Sequence, residues 1–430
     1  MAKVTSPTLK RSLGVTGAVL IGLGSILGTG VFVSLGVAAG VAGPSVTLAV
    51  AIAALVAICN GLSAAQLAAN HPVSGGTYEY GYRYLNPWLG FTAGWLFLLA
   101  KSASAATAAL GFAGYLLSSL GWSGRDWLVP IALAAVLVMT LVALGGIQRS
   151  NQVNIAIVGL TLLSLGTFAI AGLLPFSVAG LSNFTPFFAA QNPLPSLLQA
   201  TALMFVAYTG YGRIATMGEE VRSPRETIPR AIVLSLLVTM AIYGTITIIG
   251  VGAVGAPELS NATQSAAPLE LAARRFGVPG VAQVLAVGAI VALLGVLLNL
   301  ILGLSRVLLA MGRRGDMPRP VAQVSAAGTT PSVAVVVMGG TIALLVLVGN
   351  VKTTWSFSAF TVLSYYALTN LAALQLPRAD RLYPVWISWF GLLSCLFLAF
   401  WVEPQVWRLG LALIGMGLVW KATIGLSRRR

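Results

Sequence analysis

The chain of 430 residues is 57% hydrophobic and only 8% charged, with a mean hydropathy of +0.91. Soluble domains do not sustain such a composition, so the sequence predicts an all-α protein that crosses a membrane many times. The formal net charge of +15 does not indicate a nucleic-acid partner, because the basic residues lie in short loops between apolar runs and form no stripe interleaved with exposed aromatic residues.

Twelve apolar runs are long enough to cross about 30 Å of hydrocarbon. They cover residues 13–41, 44–69, 88–120, 128–145, 153–174, 194–217, 232–254, 281–311, 332–348, 355–376, 385–402 and 406–424. The first run is too long for the apolar core of a signal peptide, and it is therefore expected to remain as the first span.

Lysine and arginine are concentrated in the loops on one side of these spans. The opposite loops carry only Arg125, Arg274, Arg275, Lys352 and Arg408. The positive-inside rule then places both termini in the cytoplasm, which predicts a multi-pass protein of a prokaryotic cytoplasmic membrane. Segments 176–195 and 256–280 are expected to be external, with a short surface helix at 268–276.

Glycine interrupts the first and the sixth span, which predicts that two groups of five spans form an inverted repeat. The expected organisation is an N-terminal tail at 1–12, a first repeat at 13–174, an external loop at 175–193, a second repeat at 194–376, and two peripheral helices with a basic tail at 377–430. The last two spans lack such an interruption and are expected at the periphery or at an oligomer contact.

The interruption in the first span is the segment 24–30, Gly-Ser-Ile-Leu-Gly-Thr-Gly. Each glycine weakens a helix by about 1 kcal/mol relative to alanine, so three of them within seven positions favour unwinding. Unpaired backbone groups are costly in hydrocarbon, so such a break is expected only where it lines a cavity. The segment 207–212, Ala-Tyr-Thr-Gly-Tyr-Gly, is the second break and the expected other half of the site.

Two facing breaks predict a site for an α-amino acid. Free N–H groups at residues 28–30, together with the Thr29 hydroxyl, suit a carboxylate, while free carbonyl oxygens at Ile26, Ala207 and Thr209 suit an ammonium group. The alternative is a glycine packing face with Tyr208 as a core aromatic residue, but two breaks at equivalent places favour the site. The predicted substrate-binding residues at the breaks are Ile26, Gly28, Thr29, Gly30, Ala207, Tyr208, Thr209 and Gly210.

Four motifs in order resemble those of the amino acid/polyamine/organocation permeases. They are residues 24–32 in the first span, 72–78 before the third, 219–225 after the sixth, and 303–318 at the end of the eighth. The resemblance covers spans one to ten. It implies a leucine-transporter-type 5+5 inverted repeat with about twelve transmembrane helices, alternating access, and substrate carboxylate and amino groups held at the first and sixth spans.

One position departs from these permeases. Sodium-independent members often carry a lysine in the fifth span, where sodium-coupled relatives bind the ion, and alignment from Asn154 puts Thr161 there. The Thr161 hydroxyl either ligates sodium or bonds its own helix backbone, and the second interpretation is favoured.

Lys101 is predicted to lie about 16 to 20 Å into the membrane, at 1.5 Å per helical residue. None of the ten acidic residues lies at that depth, so Lys101 has no obvious carboxylate partner, and burial disfavours its charged form. We hypothesise that Lys101 carries a proton or replaces a cation in coupling. Alternatively, its ammonium group faces the substrate side chain, or it merely lines a hydrated crevice.

Charged residues after the sixth break are candidates for a cytoplasmic gate. Arg213, Glu219 and Glu220 follow that break, and Arg306 lies near the end of the eighth span. The alternative is simple pairing of the two glutamates with nearby loop arginines, which contributes little to stability at an exposed helix end. Asn299 either makes a helix–helix hydrogen bond, which is favoured, or is a polar group of the pocket.

These observations predict a secondary transporter that moves amino acids by alternating access, coupled to protons or working by exchange. The lack of a carboxylate at mid-membrane favours neutral over cationic substrates. Alternatives are an exchanger of organic amines or polyamines, a channel, and a non-transporting sensor subunit. No enzyme activity, metal or cofactor is expected, because no cluster of His, Cys, Asp and Glu has suitable spacing; the expected partners are an amino acid, the lipid bilayer, and protons or sodium.

Overall fold

The computed structural model describes residues 13–73, 75–122, 125–146, 151–216, 218, 221–261, 266–324 and 330–427. The α-helices within these residues are α1 (Val15–Ile26), α2 (Leu35–Ala42), α3 (Val46–Asn70), α4 (Thr77–Tyr84), α5 (Pro87–Ser119), α6 (Leu128–Leu144), α7 (Asn151–Ala179), α8 (Pro193–Tyr208), α9 (Gly212–Ala215), α10 (Pro224–Val254), α11 (Ala256–Asn261), α12 (Pro268–Arg275), α13 (Val281–Arg314), α14 (Ser332–Val346), α15 (Val351–Leu374), α16 (Val385–Ala399) and α17 (Pro404–Ser427). A π-helical turn, Gly30–Ser34, precedes α2, and a 3₁₀ turn, Thr209–Tyr211, joins α8 to α9.

Each predicted span coincides with one of these helices or with two helices joined across a break. In the described chain, seven helical stretches are long and apolar enough to cross a membrane, and α6, α14 and α16 are shorter apolar helices. The protein is therefore an all-α, multi-pass membrane protein, as its composition predicts. The number of twelve crossings and the internal repeat stay predictions.

Helix α5 lies at the centre of the bundle and packs against α13 and α15. Small residues make this possible: a Cβ atom added at Gly111 would lie 2.7 Å from a Val33 methyl group and close to Leu293. Because lipid offers no hydrophobic drive for helices to associate, such close backbone approach supplies much of the packing energy. The central position of α5 brings Lys101 next to the two broken helices.

One end of the bundle, which we call the basic end, carries the exposed arginines Arg225, Arg313, Arg314 and Arg378. At the opposite end, α12 forms where a short surface helix was expected. Its inner face, with Leu269 and Ala272, is buried, and the helix packs against α2, α13 and the π-helical turn, while Arg274 and Arg275 on its outer face are exposed. It therefore covers that end of the bundle.

Helix α17 lies at the periphery but is fixed to the basic end by a buried ion pair. Lys421 Nζ lies 2.5 Å from the Asp316 carboxylate, which also accepts hydrogen bonds from the Tyr78 and Tyr82 hydroxyls at 2.8 and 2.6 Å. The Lys421 and Asp316 side chains are only 17% and 2% exposed. This cluster joins α4, the loop after α13, and the last helix.

We expect Lys421→Met to lower the thermal stability of the purified protein in detergent, because it leaves Asp316 charged and buried without its cation, at a cost of about 3 kcal/mol. Lys352→Met is the matched control, since its partner Glu403 lies 3.2 Å away and both side chains are much more exposed, at 48% and 31%. Thermal unfolding should separate the two variants clearly. Equal midpoints would contradict the role given to the Lys421 pair.

Candidate functional site

A cavity of about 700 Å³ extends from the two breaks to the basic end of the bundle. Its deep part is lined by Ile26, Thr29, Gly30, Ala207, Thr209 and Gly210, together with Lys101 and Trp355. Its mouth is lined by Glu79, Arg306, Arg313 and Arg314, of which the last three are exposed. The cavity is thus accessible from the basic end and large enough for an amino acid.

The first break forms where the glycine-rich segment predicts it. Helix α1 ends at Ile26, and Leu27 leaves the helical conformation with φ −77° and ψ 97°. Among the described residues, the backbone N–H groups of residues 28–30 find no acceptor, and the buried Thr29 hydroxyl has no hydrogen-bond partner. These donors, at the start of a helical segment that runs toward the closed end, are suited to an anionic group.

The second break is milder than the sequence indicates. Thr209–Tyr211 tightens into a 3₁₀ turn, in which the Gly212 N–H donates to the Thr209 carbonyl and the Thr209 N–H to the Val206 carbonyl. The helix is therefore compressed and not unwound. A 3₁₀ turn keeps most backbone groups paired, which suits a segment inside a membrane-spanning bundle.

The carbonyl groups expected to be free at the breaks are already occupied, which corrects the prediction. The Tyr243 hydroxyl lies 2.9 Å from the Ile26 oxygen and 3.2 Å from the Ala207 oxygen, and the Tyr366 hydroxyl donates to the Thr209 oxygen at 3.1 Å. Because a carbonyl oxygen has two lone pairs, the Ile26 and Ala207 oxygens can still accept a second bond, whereas the Thr209 oxygen already accepts from both Tyr366 and Gly212. The sequence analysis did not single out Tyr243 and Tyr366. The feature that could have pointed to them is a tyrosine within a mostly apolar span.

Two glycines allow the breaks to touch. A Cβ atom at Gly30 would lie 2.8 Å from the Ala207 Cβ, and one at Gly210 would overlap the Ser25 carbonyl oxygen. No other residue fits either position without moving backbone. The glycines therefore serve close approach between the broken helices as well as backbone freedom.

Lys101 reaches the second break from α5, as its predicted depth requires. Its Nζ donates to the Thr209 hydroxyl at 3.1 Å, and that hydroxyl in turn donates to the Val206 carbonyl at 2.8 Å. Among the described residues, no carboxylate lies within ion-pair distance of the ammonium group. An ammonium group has three N–H donors, so donors remain to face the cavity.

Several other predicted residues lie away from the cavity. Tyr208 packs on Tyr243 with ring centroids 5.1 Å apart and points its hydroxyl to the Val50 carbonyl, so it is a core aromatic residue and not a cavity-lining one. Gly28 does not line the cavity either, because it faces Val296. The Thr161 hydroxyl donates to the carbonyl of Ile157 in its own helix at 2.7 Å. This agrees with the favoured interpretation that Thr161 bonds its own helix backbone.

The gate candidates are only partly described. Arg213 and Arg306 both line the cavity toward the basic end, whereas Glu219 and Glu220 lie outside the described residues. Asn299 also lines the cavity, and its side chain makes no hydrogen bond to any described residue. The favoured helix–helix hydrogen bond at Asn299 is thus wrong, and the residue is a polar group of the pocket.

Beyond the breaks, the bundle is closed toward the opposite end. The Tyr115 hydroxyl donates to the Phe32 carbonyl at 2.7 Å, and Trp355 Nε1 donates to the Leu203 carbonyl at 3.0 Å. Both bonds cross from the surrounding helices to the segments on the far side of the breaks. The described residues thus form a helical membrane protein whose ligand-sized cavity lies between two broken helices and opens at one end, which is the construction of a transporter.

Comparison with known proteins identifies the family. The amino acid permease family model matches residues 17–423. The chain belongs to this family, within the amino acid/polyamine/organocation superfamily. In the described residues, no group of three His, Cys, Asp or Glu side chains is placed to hold a metal ion.

Individual relatives cover nearly the whole chain. An uncharacterized transporter from Mycobacterium tuberculosis is 40% identical over 95% of this chain and 90% of its own length. A branched-chain amino acid permease from Bacillus subtilis is 30% identical over 96% of this chain and 91% of its own. The cationic amino acid transporter 9 of Arabidopsis thaliana is 30% identical over 72% of this chain and 57% of its own.

We expect Gly210→Ala to abolish transport, because the new methyl group would push the second break away from Ser25 and open the contact between the broken helices. Gly244→Ala on α10 is the control, since a Cβ atom there meets nothing within 4 Å. Uptake into proteoliposomes, with chromatography in detergent to verify folding, measures the effect. Normal uptake by a well-folded Gly210→Ala protein would contradict the close contact.

Proposed function

We propose that this protein transports amino acids by alternating access, with the substrate carboxylate held by the N–H groups of the first break. The observation that carries the proposal is the set of unpaired backbone donors and the unpaired Thr29 hydroxyl at the deep end of a cavity of about 700 Å³. Buried donors without acceptors are costly in a membrane protein, so a ligand that supplies the acceptors binds favourably. The amino group then bonds the second lone pair of the Ile26 or Ala207 carbonyl.

The charges of the cavity favour an uncharged side chain over a cationic one. Lys101, Arg213, Arg306 and Arg313 line it together with Arg314, and the single acid among its described lining residues, Glu79, is paired with Arg314 at 2.6 Å. A lysine, arginine or polyamine would meet this positive field without a counter-charge. The charges therefore support the branched-chain permease, and not the cationic transporter, as the functional model among the relatives.

A cavity that is open at one end of the bundle and closed at the other supports a transporter over a permanent pore. The cavity is accessible from the basic end, while the Tyr115–Phe32 and Trp355–Leu203 hydrogen bonds close the other end. We place the basic end in the cytoplasm, since the positive-inside rule favours it, and the protein in the cytoplasmic membrane. On this orientation, the conformer faces inward, and the inverted repeat supplies the outward-facing alternative.

Lys101 is the proposed coupling residue. Its ammonium group bonds the second break directly and has no carboxylate partner among the described residues, so its charge state bears on the position of that break. A neutral Lys101 accepts a proton, or its cation takes the place of a bound ion. We therefore propose proton coupling or exchange. Sodium coupling through Thr161 is disfavoured, because the Thr161 hydroxyl bonds the backbone of its own helix.

Uptake by the reconstituted protein tests the substrate class. We expect uptake of radiolabelled leucine into proteoliposomes, competed by unlabelled neutral amino acids but not by lysine or putrescine at the same concentration. A proton gradient or preloading with leucine should stimulate uptake, whereas a sodium gradient should not. Uptake of lysine in preference to every neutral amino acid would contradict the charge argument.

We expect Lys101→Ala to reduce uptake by tenfold or more, roughly the loss of one charge-assisted hydrogen bond at the site, and to flatten its pH dependence. Lys352→Ala removes a lysine outside the cavity and serves as the control. Initial rates of leucine uptake between about pH 5 and about pH 8 provide the comparison. If rate, pH dependence and substrate preference all matched the wild type, Lys101 would have no role in coupling or binding.

A further inference from the structure

A carboxylate is buried at the closed end of the bundle, far from the cavity. Glu270 on α12 is 1% exposed, and its Oε1 accepts a hydrogen bond from the Arg274 guanidinium at 2.8 Å. Its second oxygen, Oε2, is buried and has no hydrogen-bond partner among the described residues. An ionised carboxylate has acceptor capacity on both oxygens, so the environment of Glu270 satisfies it only in part.

Glu270 is linked to the closure of that end through its partners. The Arg274 guanidinium also donates to the Ser118 carbonyl at the end of α5, at 2.6 Å. One turn earlier on α5, Tyr115 faces α12 at Leu269 and Glu270 and donates to the Phe32 carbonyl in the π-helical turn. The short helix α12, the end of α5 and the far side of the first break are therefore held together around this carboxylate.

Few other charges surround Glu270. Arg274 comes from its own helix and Tyr115 from α5, and α11 contributes Glu258, which is paired with Arg275 at 3.0 Å. The remaining elements that pack on α12 are α2, α7, α10, α13 and the π-helical turn, and the ionisable side chains of α10 and α13 lie toward the breaks or the basic end. The ionisation of Glu270 is therefore governed by its burial, by Arg274 and by a hydrogen bond from the Ser118 side chain of α5.

Burial raises the pKa of Glu270, and the Arg274 guanidinium and the Ser118 side chain oppose this only in part. The raised pKa belongs to the closed arrangement, in which α12 keeps water away from the carboxyl group. If α12 withdraws, Glu270 meets water and its pKa returns toward that of a free glutamate. By linkage, the closed arrangement binds the proton more tightly, so it gains stability as the pH falls and loses it as the pH rises through this range.

We propose that Glu270 is a proton-binding site that controls α12, so that acid outside the cell favours closure of the outer end and the conformer open at the basic end. The proposal rests on the proposed alternating access. It goes beyond that function because the proton bound here regulates the outer gate and does not travel with the substrate. Glu270 lies on the far side of both breaks and does not line the cavity that opens at the basic end.

The distance between α5 and α12 tests the proposal without depending on transport. Spin labels are placed on cysteines substituted for Leu120 and Val278, two exposed residues just beyond the ends of these helices, with Cys59 and Cys395 replaced by alanine. Double electron–electron resonance spectroscopy then measures the distance between the two labels in proteoliposomes at about pH 5.5 and about pH 8. We expect the ratio of the short to the long separation to rise about threefold or more on acidification, within the limit of about tenfold per pH unit for one carboxyl group.

Three variants make the test specific to Glu270. Glu270→Gln mimics the protonated form and should show the short separation at both pH values. Glu270→Asp keeps a titratable group and should keep the pH response, while Glu258→Gln removes an acid from the same loop and should respond as the wild type does. A wild-type ratio independent of pH, or a Glu270→Gln ratio that changes as the wild type does, would overturn the proposal. Failure of amino acid uptake, in contrast, would count against the proposed function alone.

Discussion

The structure depends on the contact between two broken helices inside the membrane. Hydrocarbon offers no hydrogen-bond partners, so every main-chain group exposed by a break must find one within the protein or in a ligand. Here the carbonyl side of the requirement is met by Tyr243 and Tyr366, whose hydroxyls reach the Ile26, Ala207 and Thr209 oxygens. The N–H groups of residues 28–30 find no acceptor among the described residues, and Thr29 and Gly30 line the cavity. This asymmetry between satisfied acceptors and free donors is the basis for the proposed binding of an anionic group.

The surrounding helices support this arrangement from both directions. At the deep side, Tyr115 and Trp355 bond backbone carbonyls beyond the breaks and close the bundle. At the basic end, the Asp316 cluster ties α4, α13 and α17 together, and Arg314 both pairs with Glu79 and lies 4.0 Å above the Tyr82 ring. The closed end is thus held by bonds to main-chain oxygens, whereas the basic end is held by ion pairs beside an accessible mouth.

Much of the fold and part of the site follow from the sequence. Composition and the length of the apolar runs predict an all-α membrane protein, and the glycines at 24–30 and 207–212 predict where the first and sixth spans change conformation. The depth of Lys101 also follows, since it depends only on the rise per helical residue. The tyrosines on α10 and α15 could not be assigned to the breaks, because the Tyr243–Ile26 and Tyr366–Thr209 pairings, across 217 and 157 residues, depend on tertiary packing that no local pattern encodes. For the same reason Tyr208 was expected at the site although it packs in the core, and Asn299 was expected in a helix–helix bond although it lines the cavity.

The central claim is that backbone N–H groups of the first break bind the substrate carboxylate, and a distance measurement tests it most directly. Solid-state nuclear magnetic resonance on the reconstituted protein can measure the separation between the ¹⁵N-labelled amides of Thr29 and Gly30 and the ¹³C-labelled carboxylate carbon of bound leucine. The account predicts a separation of about 4 Å or less for at least one of these amides, as hydrogen bonding to a carboxylate requires. Bound leucine whose carboxylate shows no coupling to either amide would contradict it.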